Sequence, residues 1–182
     1  MNDRSDLNDM LLCSIAMSSL LIELDINKLL ASDYYKDLNW EPFIKEENAE
    51  ILKKVINKAT LSNPVMLQSL LYMLLVIPKE LIDEYERFAK DDINEIIENI
   101  ILQGSLQTNY ATDSPNVDYF RHIRNAVAHS NIEYLMDDKH SVMFKDSGGP
   151  NSFSVKIASE NVGKIIQYLI GKLMLFWNEK NK

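Results

Sequence analysis

Residues 119–130 read Tyr-Phe-Arg-His-Ile-Arg-Asn-Ala-Val-Ala-His-Ser, and this stretch decides the fold predicted for the chain of 182 residues. At about 100° per residue on an α-helix, the stretch separates into two faces. The apolar face holds Tyr119, Phe120, Ile123, Ala126 and Val127. The polar face, which Asp118 extends, holds Arg121, His122, Asn125 and His129. A pattern of this kind predicts a helix that packs its apolar face against a hydrophobic core.

The segments before this stretch also show helical periodicity, and they make the predicted fold mostly α. Apolar residues recur at three- and four-residue spacing in residues 6–31 and again in a second helix at about 45–60, after an aromatic connection. Residues 64–77 are apolar on nearly all sides, so we expect the most deeply buried helix there. Residues 79–103 form an acidic helix with an interruption near Lys90.

Prolines and small polar residues set the predicted helix boundaries. Asn63-Pro64 fits a cap followed by the first helical position, and Pro78 is expected to break the buried helix. After a polar loop at residues 105–114, Ser114-Pro115 supplies the same start signal for the helix that carries residues 119–130. We expect Gly104 to cap the acidic helix at its C-terminus.

The remainder of the chain predicts a small β element and a closing helix. Residues 132–136 and 142–146 flank a turn-like stretch, and residues 152–157 follow Gly148-Gly149-Pro150. We read a small antiparallel hairpin or meander at about 132–157, and then an amphipathic helix from Ser159 to about Trp177. The sequence therefore predicts one domain, residues 1–182, built as a helical bundle with this β element before the C-terminal helix.

Composition limits the cellular setting and the partners of the chain. Cys13 is the only cysteine, so an internal disulfide and a thiolate zinc site are excluded. The apolar runs at 10–22 and 70–77 are shorter than the roughly 18 residues of a membrane span, so we expect a soluble, cytoplasmic protein without membrane contact. The formal net charge of -8 confines any contact with nucleic acid to a local site.

The stretch has the side chains that phosphodiester cleavage requires. Arg124 offers a permanent cation whose donors match phosphate oxygens, and His129 titrates near neutrality and can move a proton. His129 lies near the C-terminus of the predicted helix, where the negative end of the helix dipole favours its protonated form. Asp118 and His122 lie one turn apart and could seat a metal, but the sequence shows no third ligand, so we expect neither a metal nor a cofactor.

Arg124 lies on the flank of the polar face, about 100° from Asn125 and roughly 140° from His129. One straight helix does not easily aim Arg124 and His129 at a single point. Two chains packed symmetrically, with these helices facing each other, would bring arginine and histidine from both copies to each end of a shared cleft. The spacing therefore favours a homodimer.

The run Tyr119-Phe120-Arg121-His122-Ile123-Arg124-Asn125-Ala126-Val127-Ala128-His129-Ser130 resembles the signature helix of HEPN domains (higher eukaryotes and prokaryotes nucleotide-binding). That signature is an arginine, a polar residue and then a histidine after four to six intervening residues, which Arg124, Asn125 and His129 match. The hairpin and terminal helix resemble stand-alone bacterial members, whereas residues 1–114 match only as a helical bundle.

The resemblance implies a dimer with a composite cleft and metal-independent cleavage of RNA, in toxin-antitoxin or antiviral defence systems with an antitoxin or regulatory partner. Arg124 would stabilise charge on phosphate, His129 would move the proton and Asn125 would orient one of them. Arg121 and His122 would be supporting substrate contacts. Members silenced by modification of a tyrosine place it four residues after the histidine, where this chain has Glu133 and the tyrosine comes one residue later.

Other interpretations of the same residues remain open. Arg124 and His129 are also what an ordinary surface arginine and a helix-terminal histidine look like, and charged residues on a polar helix face need no function. A non-catalytic HEPN-like module that dimerises and binds a partner protein is the second hypothesis, which the acidic charge favours. A purely structural helical protein is the third.

Overall fold

The computed structural model describes residues 4–26, 32–33, 64–138 and 140–180. The predicted second helix at 45–60, the aromatic connection before it and Asn63 lie outside the described residues. Within them, helices pack around a core against one side of a small sheet, so the prediction of a mostly α fold with an antiparallel β element is confirmed.

The elements follow one another in this order. The helices before the sheet are α1 (Arg4–Ile26), α2 (Pro64–Leu71), a π-helical turn (Tyr72–Val76), α3 (Ile77–Leu81) and α4 (Asp83–Ile100). Strand β1 (Gln107–Thr108), a 3₁₀ turn (Ala111–Asp113) and α5 (Tyr119–Ala128) come next. The chain ends with β2 (Ile132–Tyr134), β3 (Ser141–Gly148), β4 (Asn151–Ala158) and α6 (Ser159–Lys180).

The sheet is antiparallel throughout and has the strand order β1-β4-β3-β2. Its central pair β3–β4 alternates buried and more exposed residues, with Val142 opposite Ile157 and Phe144 opposite Val155. Gly149, at φ +61, turns the chain between them, in a conformation that favours glycine. Strand β1 lies in the region predicted as a polar loop. The sequence did not predict this strand, because its two exposed polar residues show no apolar alternation.

Pro78 does not end the buried helix, which corrects the sequence-based prediction. Helical structure runs without a gap from Pro64 to Leu81, and a π-helical turn precedes the proline. In that turn the backbone N–H of Ile77 donates to the carbonyl of Tyr72, five residues back. This wider turn accommodates a residue that lacks an N–H of its own.

The break in the acidic helical region lies at Ile82 and not near Lys90. Ile82 is extended, at φ -141 and ψ 99, and α4 begins at the next residue. The buried residues of α4 recur every four residues across Lys90: Tyr85, Ala89, Ile93 and Ile97. Because this stripe is continuous, the helix has no reason to stop within it.

Helix α5 begins at Tyr119, four residues later than Pro115 predicted. The carboxylate of Asp118 accepts a hydrogen bond from the backbone N–H of Arg121 at 3.2 Å, and the Asn94 side chain accepts from the N–H of Phe120 at 2.7 Å. These two acceptors satisfy two of the free N–H groups at the helix start. The acidic cap at Asp118 therefore outweighs the proline signal upstream.

The segment Pro64–Leu81 is the one stretch of the described residues whose length and apolar composition would permit a membrane span. Its Leu70 and Leu74 have no exposed surface and belong to the hydrophobic core of the chain. A core helix passes the same test of length and composition, so this stretch is weak evidence for a membrane span.

Candidate functional site

Helix α5 lies between the helical layer and the sheet, where it packs against α4 on one side and β3 on the other. Its apolar face is buried as the sequence predicts, with Phe120 and Ala126 fully covered. The polar face is not uniform. His122 is fully buried, although the helical wheel places it among the polar residues, because carboxylates from β3 and from the segment before α5 close over it.

His122 lies between two carboxylates. Its Nδ1 is 2.7 Å from Oδ2 of Asp146 in β3, and its Nε2 is 3.1 Å from both carboxylate oxygens of Asp113 in the 3₁₀ turn. The ring stacks on Phe153 of β4, with the ring centroids 4.2 Å apart and the planes 8° from parallel. The imidazole is thus held in its plane by hydrogen bonds and across its plane by stacking.

Asp113 is itself surrounded by donors. Burial opposes the ionisation of its carboxyl, but the hydroxyl of Thr108, the imidazole of His122 and the charge of Arg121 outweigh that effect and hold the pKa below its ordinary value. Thr108 donates at 2.5 Å. The site therefore contains an ionised carboxylate in a region from which water is largely excluded.

Arg121 is directed back onto its own chain. Its Nη2 lies 3.3 Å from the Thr112 hydroxyl, 3.3 Å from Asp113 and 2.9 Å from Nε2 of His122, and its guanidinium covers the ring of Tyr110. A neutral His122 that donates to Asp146 from Nδ1 can accept from Arg121, whereas a protonated one donates to Asp113. Of the two predicted substrate contacts, His122 exposes no surface, whereas the side chain of Arg121 is 29% exposed.

The structure brings Arg124 and Asn125 together. Nη1 of Arg124 donates to Glu86 of α4 at 3.0 Å, and Nη2 donates to Oδ1 of Asn125 at 2.9 Å. The amide nitrogen of Asn125 in turn donates to Oδ2 of Asp146 at 3.2 Å. An unbroken series of hydrogen bonds therefore links Arg124 to the buried His122.

His129 follows the last residue of α5 and exposes its side chain to solvent. The helix ends in a Schellman motif: the N–H of Ser130 donates to Val127, and the N–H of Asn131 donates to Ala126 at 2.8 Å. Ser130 has φ 55, the left-handed conformation of that motif. Within the described part of the chain the His129 imidazole makes no hydrogen bond or ion pair, so it does not join the Arg124–Asn125 pair.

A protein-family model described as HEPN pEK499 p136 matches residues 17–181 of this chain. The chain belongs to the HEPN pEK499 p136 family. No curated protein and no solved structure matches it. The resemblance stated for the signature run is thereby confirmed at the level of the family. The match also covers much of the N-terminal region, which the sequence resembled only as a helical bundle.

Three carboxylates of this HEPN site did not emerge from sequence reasoning: Asp113, Asp146 and Glu86. Asp146 left a signal, because it continues the inward positions of β3 after Val142 and Phe144, where an acidic residue is out of place without a partner. Asp113 lies in a loop and Glu86 in a helix rich in acid, so their sequence context did not single them out.

Asp118 and Tyr134 of this HEPN chain each have a partner within the chain. Asp118 caps α5 through the N–H of Arg121 and pairs with Lys90 at 2.7 Å. Among the described residues no group of three potential ligands could hold a metal ion. Tyr134 donates its hydroxyl to the carbonyl of Pro64 at 2.6 Å, and burial raises its pKa to about 12.

Proposed function

We propose that this HEPN protein is a metal-independent endoribonuclease whose site consists of Arg124, Asn125 and His129. The observation that carries the proposal is the placement of these residues on one short helix. Arg124 and Asn125 are hydrogen-bonded to each other, and His129 lies at the helix end with an exposed imidazole. A fixed cation and an accessible titratable group are the two components that the reaction needs.

Arg124 retains donors for a substrate. Of the five N–H donors of a guanidinium, one is used on Glu86 and one on Asn125 in the structure. On this proposal the remaining donors bind phosphate oxygens, and the two internal bonds restrict the rotation of the group. Arg124 is therefore held in one orientation before RNA binds, which lowers the entropic cost of binding the developing charge.

In the proposed reaction the RNA supplies its own nucleophile. The 2'-oxygen attacks the adjacent phosphorus while its proton passes to a base. The bond from phosphorus to the 5'-oxygen breaks, and that oxygen takes a proton from an acid. The products are a 2',3'-cyclic phosphate and a free 5'-hydroxyl. His129 serves as a proton carrier in this scheme, and Arg124 stabilises the charge on the phosphate.

A second copy of the chain completes the proposed site. In the single chain Arg124 is turned toward Glu86 and Asn125, whereas the His129 imidazole makes no hydrogen bond or ion pair with the described residues. Two copies with their α5 helices facing each other would provide two histidines for the two proton transfers. On this proposal the protein is a cytoplasmic homodimer of the toxin or phage-defence type, restrained by an antitoxin or regulatory protein.

The deciding experiment is cleavage of total RNA by the purified protein in the presence of EDTA. We compare the native chain with Arg124→Ala and His129→Ala, after checking that each is folded. The controls are Arg87→Ala, which removes an exposed arginine of α4, and His140→Asn, which removes another exposed histidine and tolerates the φ of +46 at that position. Cleavage that survives EDTA, leaves cyclic phosphate ends and is lost in the two site variants but not in the controls supports the proposal.

The second candidate is a non-catalytic HEPN module that dimerises and binds a partner protein. Two observations support this candidate. Arg124 forms an ion pair with Glu86 of the same chain, and the net charge of the protein is -8. Absence of cleavage in the native protein, or cleavage unchanged in Arg124→Ala and His129→Ala, favours this candidate over the nuclease.

A further inference from the structure

We propose that Asp146, held by the buried His122, is a positioning residue that orients Arg124 through the side-chain amide of Asn125. The catalytic consequence of this inference rests on the proposed function, whereas the orientation of Arg124 does not. The inference uses the hydrogen bonds that run from the interior of the sheet to the polar edge of α5.

The chemistry of each partner fixes the direction of this series. Asn125 has one end that accepts and one end that donates, and it lies between an acceptor, Asp146, and a donor, Arg124. Its NH₂ end must face the carboxylate, so its oxygen must face the guanidinium. A flipped amide would set oxygen against carboxylate and NH₂ against guanidinium, and both contacts would be repulsive. Asp146 therefore determines which end of Asn125 is presented to Arg124.

Asp146 is itself held in place, so the Asn125 amide cannot easily reorient. The residue is 8% exposed, and the same oxygen, Oδ2, accepts from His122 at 2.7 Å and from Asn125 at 3.2 Å. His122 is in turn held by Asp113 and by stacking on Phe153. Buried polar series of this kind rigidify when every member has a partner. Strand β3 thus fixes the side-chain amide of Asn125 through Asp146.

The series ends on the face of α5 where the site is proposed. Glu86 binds Nη1 of Arg124 from α4, and Asn125 binds Nη2 from the same helix as the arginine. Loss of one of these acceptors leaves the guanidinium free to turn about the other. Because misplacement of a site group by about 1 Å can cost on the order of 100-fold in rate, the amide acceptor has a catalytic consequence.

The test combines an activity-independent measurement with a cycle of variants. The chain has four arginines, so the guanidinium ¹⁵N–¹H signals of Arg124 can be assigned by their loss in Arg124→Lys. We expect these signals to shift or broaden in Asp146→Ala and in Asn125→Ala. Asp146→Asn, whose amide oxygen can replace Oδ2, should restore most of the native spectrum. Asp137→Asn, a carboxylate change in the loop between β2 and β3, is the matched control and should leave the Arg124 signals unchanged.

Asn125→Ala keeps the test decisive if Asp146→Ala fails to fold, because Asn125 is only partly buried and the His122–Asp146 pair remains. Native Arg124 signals in both a folded Asp146→Ala and Asn125→Ala would overturn the inference. In the cleavage assay we expect kcat to fall by up to about 100-fold in each single variant, and the double variant to be no worse than Asn125→Ala alone. A fall in kcat in the double variant that equals the product of the two single losses would also overturn the inference.

The two proposals fail in different ways. If the native protein does not cleave RNA, the proposed function fails, and the Arg124 spectra still decide whether Asp146 positions the guanidinium. If the native protein cleaves RNA but the Arg124 spectra do not respond to either variant, the nuclease stands and the positioning role is wrong.

Discussion

The two histidines of the α5 region, His122 near its start and His129 at its end, have opposite surroundings. In the first turns, Asp118 and His122 make hydrogen bonds within the chain, and Arg121 binds Asp113 through Nη2, while its Nε is buried without a hydrogen-bond partner among the described residues. At the end of the helix, His129 is exposed and its imidazole makes no hydrogen bond or ion pair with the described residues, whereas the side chain of Arg124, in the middle of the helix, is 14% exposed. The segment before α5 and strand β3 close over the start of the helix, so the histidine at the start serves stability and the histidine at the end is available for chemistry.

The largest expected effect separates the two histidines by activity. His129→Ala should lower kcat/KM for RNA by about 100- to 10,000-fold, because it removes the proposed proton carrier. Its free energy of unfolding should stay within about 0.5 kcal/mol of native, since the side chain is exposed. Cleavage kinetics and urea denaturation on the same preparation measure both quantities. If the His129→Ala protein is active, His129 is not the proton carrier, and the contrast between the two histidines has no functional meaning.

The reverse pattern is expected for His122. His122→Leu leaves Asp113 and Asp146 buried without their common partner, which should lower the free energy of unfolding by about 3–5 kcal/mol. Urea denaturation measures the loss, with His140→Asn as the control histidine. A loss below about 1 kcal/mol would show that the carboxylates find other partners, and His122 would then not be the centre of this cluster.

Much of the fold was predictable from apolar periodicity. The buried face of α5, the inward residues of β3 and β4 and the buried face of α6 all follow the spacing that the sequence shows. These elements are determined by which residues must leave water, and that property belongs to each residue and its near neighbours.

The unpredicted features depend on partners distant in sequence. Pro78 continues a helix because a π-helical turn precedes it, and His122 is buried because Asp146, 24 residues later, meets it across the helix–sheet interface. A helical wheel records which way His122 points but not which strand will cover it. The position of Asp146 among the inward residues of β3 was the one local sign of that contact.

The third prediction uses pH to test the first turns of α5. The folded-state pKa of Asp113 lies below its ordinary value, so its ionised form stabilises the fold at pH values above about 4, and this contribution is lost as the pH falls through the folded pKa. Asp113→Asn should cost about 1–3 kcal/mol at neutral pH. The difference in unfolding free energy between native and variant should shrink as the pH falls below 4. A difference that stays constant from pH 7 to pH 3 would contradict the assignment.

A smaller effect is expected at the N-terminal cap of α5. Asp118→Ala removes the acceptor for the N–H of Arg121 and the partner of Lys90, and should cost about 1–2 kcal/mol in unfolding free energy. Asp118→Asn keeps the cap acceptor without the charge and should recover most of the loss. Equal losses in the two variants would indicate that the ion pair with Lys90, and not the cap, holds the start of the helix.

The smallest effect is expected at the opposite end, where Ser130 has φ 55 in the Schellman motif. Ser130→Ala and Ser130→Gly both remove the hydroxyl that accepts from Gln68 at 3.0 Å, so the difference between them isolates the backbone. Glycine tolerates the left-handed conformation and alanine does not, so the glycine variant should be more stable by up to about 1 kcal/mol in thermal or urea unfolding. Equal stability of the two would mean that the helix end relaxes when Ser130 is replaced.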